Sequence, residues 1–269
     1  MLRSKSAKGQ TSNANVMQTH RFFIQPESWS PDRLELDQDE AHHCIDVIRA
    51  TVGQRIVVFN GRGTEAVAEI SGIAKSRVQL KTLQISQTPP LPCAITLAQA
   101  IPKGKNMDLI IQKGTELGVS KIVPIISERT VVQVEPDEAK KKTEKWRQIV
   151  IEAAKQCGQS RLPEVSPPVT PKQFFADVDR YDIALIASLQ SDARTFKSAL
   201  SDFREQNGRR PKSVLVLVGP EGDFTPAEAA LAKSAGCLPV SLGPIVLRTE
   251  TAAIYCLSVL SYELQGEEM

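Results

Sequence analysis

The chain contains only three histidines among 269 residues, and its five cysteines, Cys44, Cys93, Cys157, Cys237 and Cys256, form no CxxC pair. That removes the usual ligand sets for structural or catalytic zinc, so no metal is expected. An odd number of widely spaced cysteines is also a poor disulfide framework, and a reducing cytoplasm is the natural compartment. No apolar run reaches membrane-spanning length, and no signal-peptide core precedes a cleavage site, so no membrane partner is expected. Neither charge sign dominates, with 33 Lys and Arg against 31 Asp and Glu for a net charge of +2. A whole-molecule field attracting polyanions is thereby excluded, and any nucleic-acid site must be a local patch. Two nucleotide fingerprints are missing as well: no GxGxxG follows the first strand of the α/β region, and no GxxxxGK[ST] occurs anywhere. A Rossmann or P-loop site is disfavoured on that ground.

What is present is 41% apolar residues, enough for one or two ordinary cores. Residues 1–17 read as a disordered tail: the first sixteen carry three basic and no acidic residues among many Ser, Asn and Gly. Met17 as the true start and an organelle transit peptide are the alternatives, and the amphipathic stripe of a transit peptide is missing. Residues 18–88 read as a small β-barrel. RFFIQ, QRIVVF, TEAVAEI and RVQLKTLQ are strands, and Asn60-Gly61-Arg62-Gly63 is a hairpin turn. A short helix over EAHHCIDVIR is expected, capped by Asp37 or Asp39. Arg49, Arg55 and Arg62 fall at the rim, either as solvated charges or as nucleic-acid contacts. His42 and His43 point about 100° apart on a helix and lack a companion cluster, so they carry no metal reading.

The Pro-rich Thr88-Pro89-Pro90-Leu91-Pro92 is an extended linker. From 92 to 269 strands and helices alternate, which predicts a mostly parallel sheet covered on both faces. AITLAQA, KIVPIIS, YDIALIA, SVLVLVG and LPVSLG are its strands. Met107, Ile110, Ile111, Gly114 and Leu117 form one helical face, and Trp146, Ile149, Val150 and Ala153 form another. Lys140, Lys141, Lys142 and Lys145, interleaved with Glu138 and Glu144, read as a solvated helix face. Two strand ends are glycine turns, Gly219-Pro220-Glu221-Gly222 and Leu242-Gly243. Glycine admits close backbone approach, and α/β clefts lie at the carboxyl ends of strands. Thr225-Pro226-Ala227-Glu228 is a capping box that opens the helix after the first turn.

The blocks IPKGKNMDLIIQKGTELGV, IISERTVV, EAAKQCGQSRLPEV, GPEGDFTPAE and SLGPIVLRTETAA occur in this order. Together, from about Arg21 to Glu263, the chain resembles the RsmE family, the uridine-N3 methyltransferases of bacterial 16S ribosomal RNA within the knotted SPOUT group. The resemblance implies a PUA-like N-terminal domain and a C-terminal methyltransferase domain with a trefoil knot. It further implies S-adenosylmethionine as cofactor, a homodimer, and 16S RNA within the 30S subunit as partner. The cofactor would be held around Leu217, Gly219, Pro220, Glu221, Gly222, Leu242, Gly243, Ile245, Leu247, Thr251 and Ala252.

Methylation at uridine N3 requires loss of the ring proton and stabilisation of the charge spread over the flanking carbonyls. Arg248 is the expected cationic donor. Glu221 is the candidate proton acceptor, with water as the alternative and capping of the turn's own amides as its other reading. RNA contacts are expected from Lys103, Lys105, Lys113, Arg129, Gln156 and Arg161, with Arg49 and Arg62 from the first domain. Gln112 and Glu116 share the helix face of Lys113. Asp223 replaces a glycine expected in the family, and Lys155 replaces an acidic residue. Asp tolerates the left-handed region, so the turn is expected to survive. A catalytically silent ribosome-assembly factor and a SPOUT enzyme acting on another RNA are the competing functions.

Overall fold

A computed structural model describes residues 20–130, 136–176 and 181–266. The expected tail over 1–17, with its alternative start at Met17, lies outside them. The chain divides into two compact units, Met1–Phe59 with Glu65–Ile85, and Asn60–Thr64 with Ser86–Met269.

The first unit contains β1 (Arg21–Phe23), β2 (Leu34–Asp37), α1 (Gln38–His42), β3 (Arg55–Phe59), β4 (Thr64–Ala74) and β5 (Arg77–Gln87). The strands form one sheet in the order β1-β3-β4-β5-β2, with β1 parallel to β3, and β3 with β4 and β2 with β5 antiparallel. Alternation fills its core: Ile56 and Val58 on β3, Ala66, Ala68 and Ile70 on β4, and Val78 and Leu80 on β5 are all buried with Phe22, Leu34 and Leu36. The helix expected over EAHHCIDVIR is shorter and less regular. Five α-helical residues pass into a wide π turn over His43–Val47, and Asp37 stands at the N-cap position without a side-chain cap bond. Strand β2 was not foreseen, because four residues bounded by charges carry almost no periodic signal.

The second unit runs β6 (Ala94–Ala100), α2 (Asn106–Glu116), β7 (Lys121–Ile125), α3 (Pro136–Cys157), β8 (Glu164–Val165), α4 (Pro171–Ala176), β9 (Ile183–Ala187), β10 (Arg194–Thr195), α5 (Phe196–Asn207), β11 (Ser213–Val218), α6 (Pro226–Ser234), β12 (Leu238–Ser241) and α7 (Thr249–Gln265). Its seven-stranded sheet has the order β10-β12-β9-β11-β6-β7-β8, and its ladders are parallel. Strand β11, later in sequence than β9, is inserted between β9 and β6.

Both faces of this sheet are covered, so its central strands are apolar at consecutive positions. Along β11, Val214, Val216 and Val218 face a core shared with α2, α3, α5 and α7, while Leu215 and Leu217 face the one shared with α4 and α6. The buried cysteines belong to these cores as small apolar side chains. Burial pushes the Cys93 and Cys237 thiols up to about 12, which removes thiolate chemistry from them. On α3, Trp146, Val150 and Ala153 are buried, whereas Lys142 pairs with Glu138 at 2.8 Å.

The hairpin turn at Asn60 is built as expected. Asn60 Oδ1 accepts from the Arg62 amide at 2.9 Å and the Thr64 amide at 3.1 Å. Its tip nonetheless clusters with the second unit. The Gly63 amide donates to the Ser160 carbonyl, Thr88 N–H to the Gly63 carbonyl, and Leu162 N–H to the Gly61 carbonyl.

Candidate active site

The carboxyl ends of β9, β11 and β12 lie side by side, and the loops leaving them enclose a cleft of about 480 Å³. That is the size range of small-molecule sites. One wall is the loop 219–225 after β11. A second is the loop 242–248 after β12, which leads into the first turn of α7. Ala187, the last residue of β9, and Ser188 and Leu189 after it complete the floor and rim together with Asn106 at the start of α2.

The 219–225 wall is held by many polar bonds. Asp223 sits in the left-handed region at φ 59° and its Oδ1 accepts the Phe224 amide at 2.8 Å. The turn therefore survives the replacement of glycine, as short polar side chains permit. Glu221 Oε1 accepts the Lys103 amide at 3.0 Å, fastening the loop before α2 to this turn. The capping box is complete: Thr225 Oγ1 accepts the Glu228 amide, and Glu228 Oε2 accepts the Thr225 amide at 2.8 Å. Gly219 is close-packed, since a Cβ there would lie 3.0 Å from Asp223 Oδ1 and 3.3 Å from Phe224.

The 242–248 wall has little of this. Ser241 Oγ accepts the Gly243 amide at 3.3 Å, Leu242 and Leu247 pack partly buried against the core, and Ile245 and Val246 are 73% and 72% exposed. Gly243 has φ 113°, a conformation side chains avoid, with open space where a Cβ would stand.

Arg248 is the N-cap residue of α7. It is exposed, lines the cleft, and makes no side-chain hydrogen bond or ion pair among the described residues. Three carboxylates, Glu221, Asp223 and Glu250, line the cleft against this one guanidinium, so the local field favours a cationic ligand. Glu250 is oriented by Asn106, whose Nδ2 donates to its Oε2 at 3.2 Å.

Of the residues expected around a cofactor, Gly219, Pro220, Glu221, Leu242, Gly243, Ile245, Leu247 and Ala252 line the cleft. Leu217, Gly222 and Thr251 do not. Leu217 is one residue out of phase and points to the opposite face of the sheet with Phe224, so Val218 lines the cleft instead. Gly222 is exposed, its carbonyl held by Arg129. Thr251 is exposed on α7 beside the buried Ala252. Sequence reasoning missed Asn106, Ser188, Leu189, Thr249 and Glu250, whose only signal is adjacency to strand ends and helix starts.

The residues expected to contact RNA are spread over the second unit and the first. Lys103 and Lys105 are exposed before α2. Lys113 is paired with Glu116 at 2.8 Å. Arg129 Nη1 donates to the Gly222 carbonyl at 2.5 Å, and Arg161 Nε donates to the Thr88 carbonyl at 2.9 Å. Gln156 and Arg62 are exposed, and so is Arg49 of the first unit, in the left-handed region at φ 56°. Lys155 pairs with Glu152 at 3.0 Å. Among the described residues no group of three or more His, Cys, Asp or Glu is placed to hold a metal, and no helix is long and apolar enough to cross a membrane.

Residues 89–261 match the profile of an RNA methyltransferase domain, and residues 36–83 that of an RNA methyltransferase PUA domain. The chain is 32% identical over 238 residues to the ribosomal RNA small subunit methyltransferase E of Bacillus subtilis (strain 168), covering 86% of this chain and 91% of that protein. It is 30% identical over 255 residues to the protein of the same name from Synechocystis sp., covering 95% and 81%. Similar solved structures include a Legionella pneumophila methyltransferase in complex with SAM, at 36% identity and a TM-score of 0.82, covering 91% of this chain and 98% of that one. Another is the ribosomal RNA small subunit methyltransferase E of Neisseria gonorrhoeae bound to S-adenosyl methionine, at 31% identity and a TM-score of 0.79 with the same coverage.

Proposed function

Because the chain belongs to the ribosomal RNA small subunit methyltransferase E family, and is thereby an S-adenosylmethionine-dependent methyltransferase of 16S ribosomal RNA, we propose that its target atom is N3 of a uridine. The transfer is assigned to the cleft at the ends of β9, β11 and β12. The observation that carries this assignment is the placing of Arg248, a guanidinium with no bonding partner among the described residues, beside two glycine turns on neighbouring parallel strands.

The cleft's residues fit the cofactor. Its excess of carboxylates suits a ligand of net positive charge, the side chains of Leu189, Leu242 and Leu247 offer apolar surface to a purine ring, and the backbone of 219–221 and 242–247 borders the cleft for edge recognition. Bound S-adenosylmethionine supplies a methyl group on an electrophilic sulfonium centre. The chain supplies alignment and charge stabilisation. Arg248 donates to the carbonyl oxygens flanking N3 as the ring loses its proton. Glu221 has one carboxylate oxygen committed to the Lys103 amide, so its first role is to hold the loop. Its other oxygen, or water, takes the proton.

RNA is met by Lys103, Lys105, Lys113, Arg129, Gln156, Arg161 and Arg62 of the second unit and by Arg49 of the first, in the context of the 30S subunit and in the cytoplasm. The match of residues 36–83 to an RNA methyltransferase PUA domain supports a PUA-like domain ending near residue 88. A second copy of the chain covers the exposed Ile245, Val246, Tyr255 and Tyr262 in a homodimer, and the insertion of β11 between β6 and β9 supports a trefoil threading of the last strands. Mass spectrometry of 16S RNA nucleosides from a strain lacking this chain tests the target. Loss of N3-methyluridine is expected, and an unchanged N3-methyluridine content would overturn the assignment.

A further inference from the structure

The loop 127–130, which follows β7, is bonded to the cofactor wall more tightly than helix capping requires. Glu228 is only 7% exposed. Its carboxylate closes the capping box with Thr225, but it also accepts from Ser127 Oγ at 3.1 Å and from the Glu128 amide at 2.9 Å, about a hundred positions away in sequence. Ser127 is itself buried, and its amide and carbonyl both bond Thr130. The turn is thus closed on itself and anchored on α6. From this base Arg129 extends over the surface, its Cδ 3.4 Å from where a Cβ on Gly222 would stand, and donates through Nη1 to the Gly222 carbonyl. A guanidinium has five N–H donors in a planar fork, so one edge bonds the cofactor loop while the other, without a partner among the described residues, can take an anion.

We propose that Arg129 is a positioning residue that couples RNA docking to cofactor binding. A backbone phosphate of the RNA taken by the outer edge of Arg129 fixes the guanidinium, and the inner edge then fixes the Gly222 peptide and with it the 219–225 wall. Ordering that wall in advance lowers the cost of binding the cofactor, and by linkage the cofactor raises affinity for RNA by the same factor. This inference rests on the cleft being the cofactor site.

The test is equilibrium dialysis of S-adenosylhomocysteine, which occupies the cleft without transferring a methyl group. It is carried out with and without saturating 30S subunits from a strain lacking the modification. The wild-type chain is expected to bind the probe about five to ten times more tightly in the presence of 30S, within the usual span of coupling between sites. Arg129→Lys keeps the charge for RNA but places one compact donor where two directions are needed, so the ratio should fall close to one while the variant still binds 30S and its Tm is unchanged. A wild-type ratio of one, or an equal ratio in Arg129→Lys, overturns the proposal with the cofactor site intact. Absence of any probe binding to the free chain would remove the cofactor assignment itself. Glu228→Gln, which leaves Arg129 in place and loosens its base, is expected to give an intermediate ratio, and an undiminished ratio there would contradict the role of the anchored turn.

Discussion

The two walls of the cleft are made differently. The 219–225 wall is bonded by its own side chains and by two neighbouring loops, through Asp223, Glu221, Arg129 and Glu228. The 242–248 wall is seated by two leucines and one serine hydroxyl, and presents Ile245 and Val246 to solvent. Both follow parallel strands of the same sheet, so strand geometry does not explain the difference. The first wall is complete within one chain. The second carries the apolar surface and Arg248, which has no bonding partner among the described residues, and in the proposed reading the ligand and a second copy complete it.

The largest effect that sharpens this contrast is expected at the end of the second wall. If Arg248 stabilises charge that appears only as N3 deprotonates, Arg248→Ala should lower the single-turnover rate by about 10² to 10³ with little change in the Kd for S-adenosylmethionine. Arg248→Lys should recover part of the loss, because a point charge replaces a planar fork. A weakened Kd with an unchanged rate at saturation would make Arg248 a scaffold of the cofactor.

The glycines of the two walls should respond for different reasons. Gly243→Val forces a side chain into φ 113°, a strain of roughly 1–3 kcal/mol, while its Cβ meets open space. Gly219→Val meets Asp223 and Phe224 instead and disturbs the bonded turn. Calorimetry should show S-adenosylmethionine affinity reduced about tenfold or more in both, on the order of 1.4 kcal/mol, with Gly219→Val also losing thermal stability. Equal affinity in a folded variant would separate that wall from the cofactor. Ile245→Asp places a charge on the second wall's apolar surface, and sedimentation should show a shift toward monomer with the Tm little altered. An undisturbed dimer would place the interface elsewhere.

The smallest effect is expected at the other end of the sheet. Asp182, before β9, takes two bonds from Arg209 at 2.8 and 2.9 Å and one from the Lys212 amide at 2.7 Å. These hold its carboxyl well below the ordinary value of 3.8. The depressed group stabilises the fold above that value, and the contribution fades as pH falls below it, because the unfolded chain then binds the proton first. Unfolding midpoints of Asp182→Asn should therefore be lower near pH 7 and less sensitive to acid than wild type, with cofactor affinity unchanged.

Much of the sheet was legible because its strands are apolar runs and its helices carry apolar stripes, as on α2 and α3. The two-residue strands β8 and β10 and the charge-flanked β2 lack enough positions for a period to form. The tip of the 60–64 hairpin reads locally as part of the first domain, and only its bonds to Ser160, Thr88 and Leu162 assign it to the second. In the cleft the glycine turns announced themselves through backbone requirements. Leu217 falls outside the cleft lining by strand parity alone. Leu189, Asn106 and Glu250 were invisible since their role comes from three chain segments meeting, which no local pattern records.

The most direct measurement of the central claim uses purified chain, methyl-labelled S-adenosylmethionine and 30S subunits from a strain lacking the chain, followed by nuclease digestion and chromatography of the nucleosides. The account predicts label in N3-methyluridine from one site of 16S RNA, abolished or strongly slowed by Arg248→Ala. Label in any other nucleoside, or equal rates for wild type and Arg248→Ala, would contradict it.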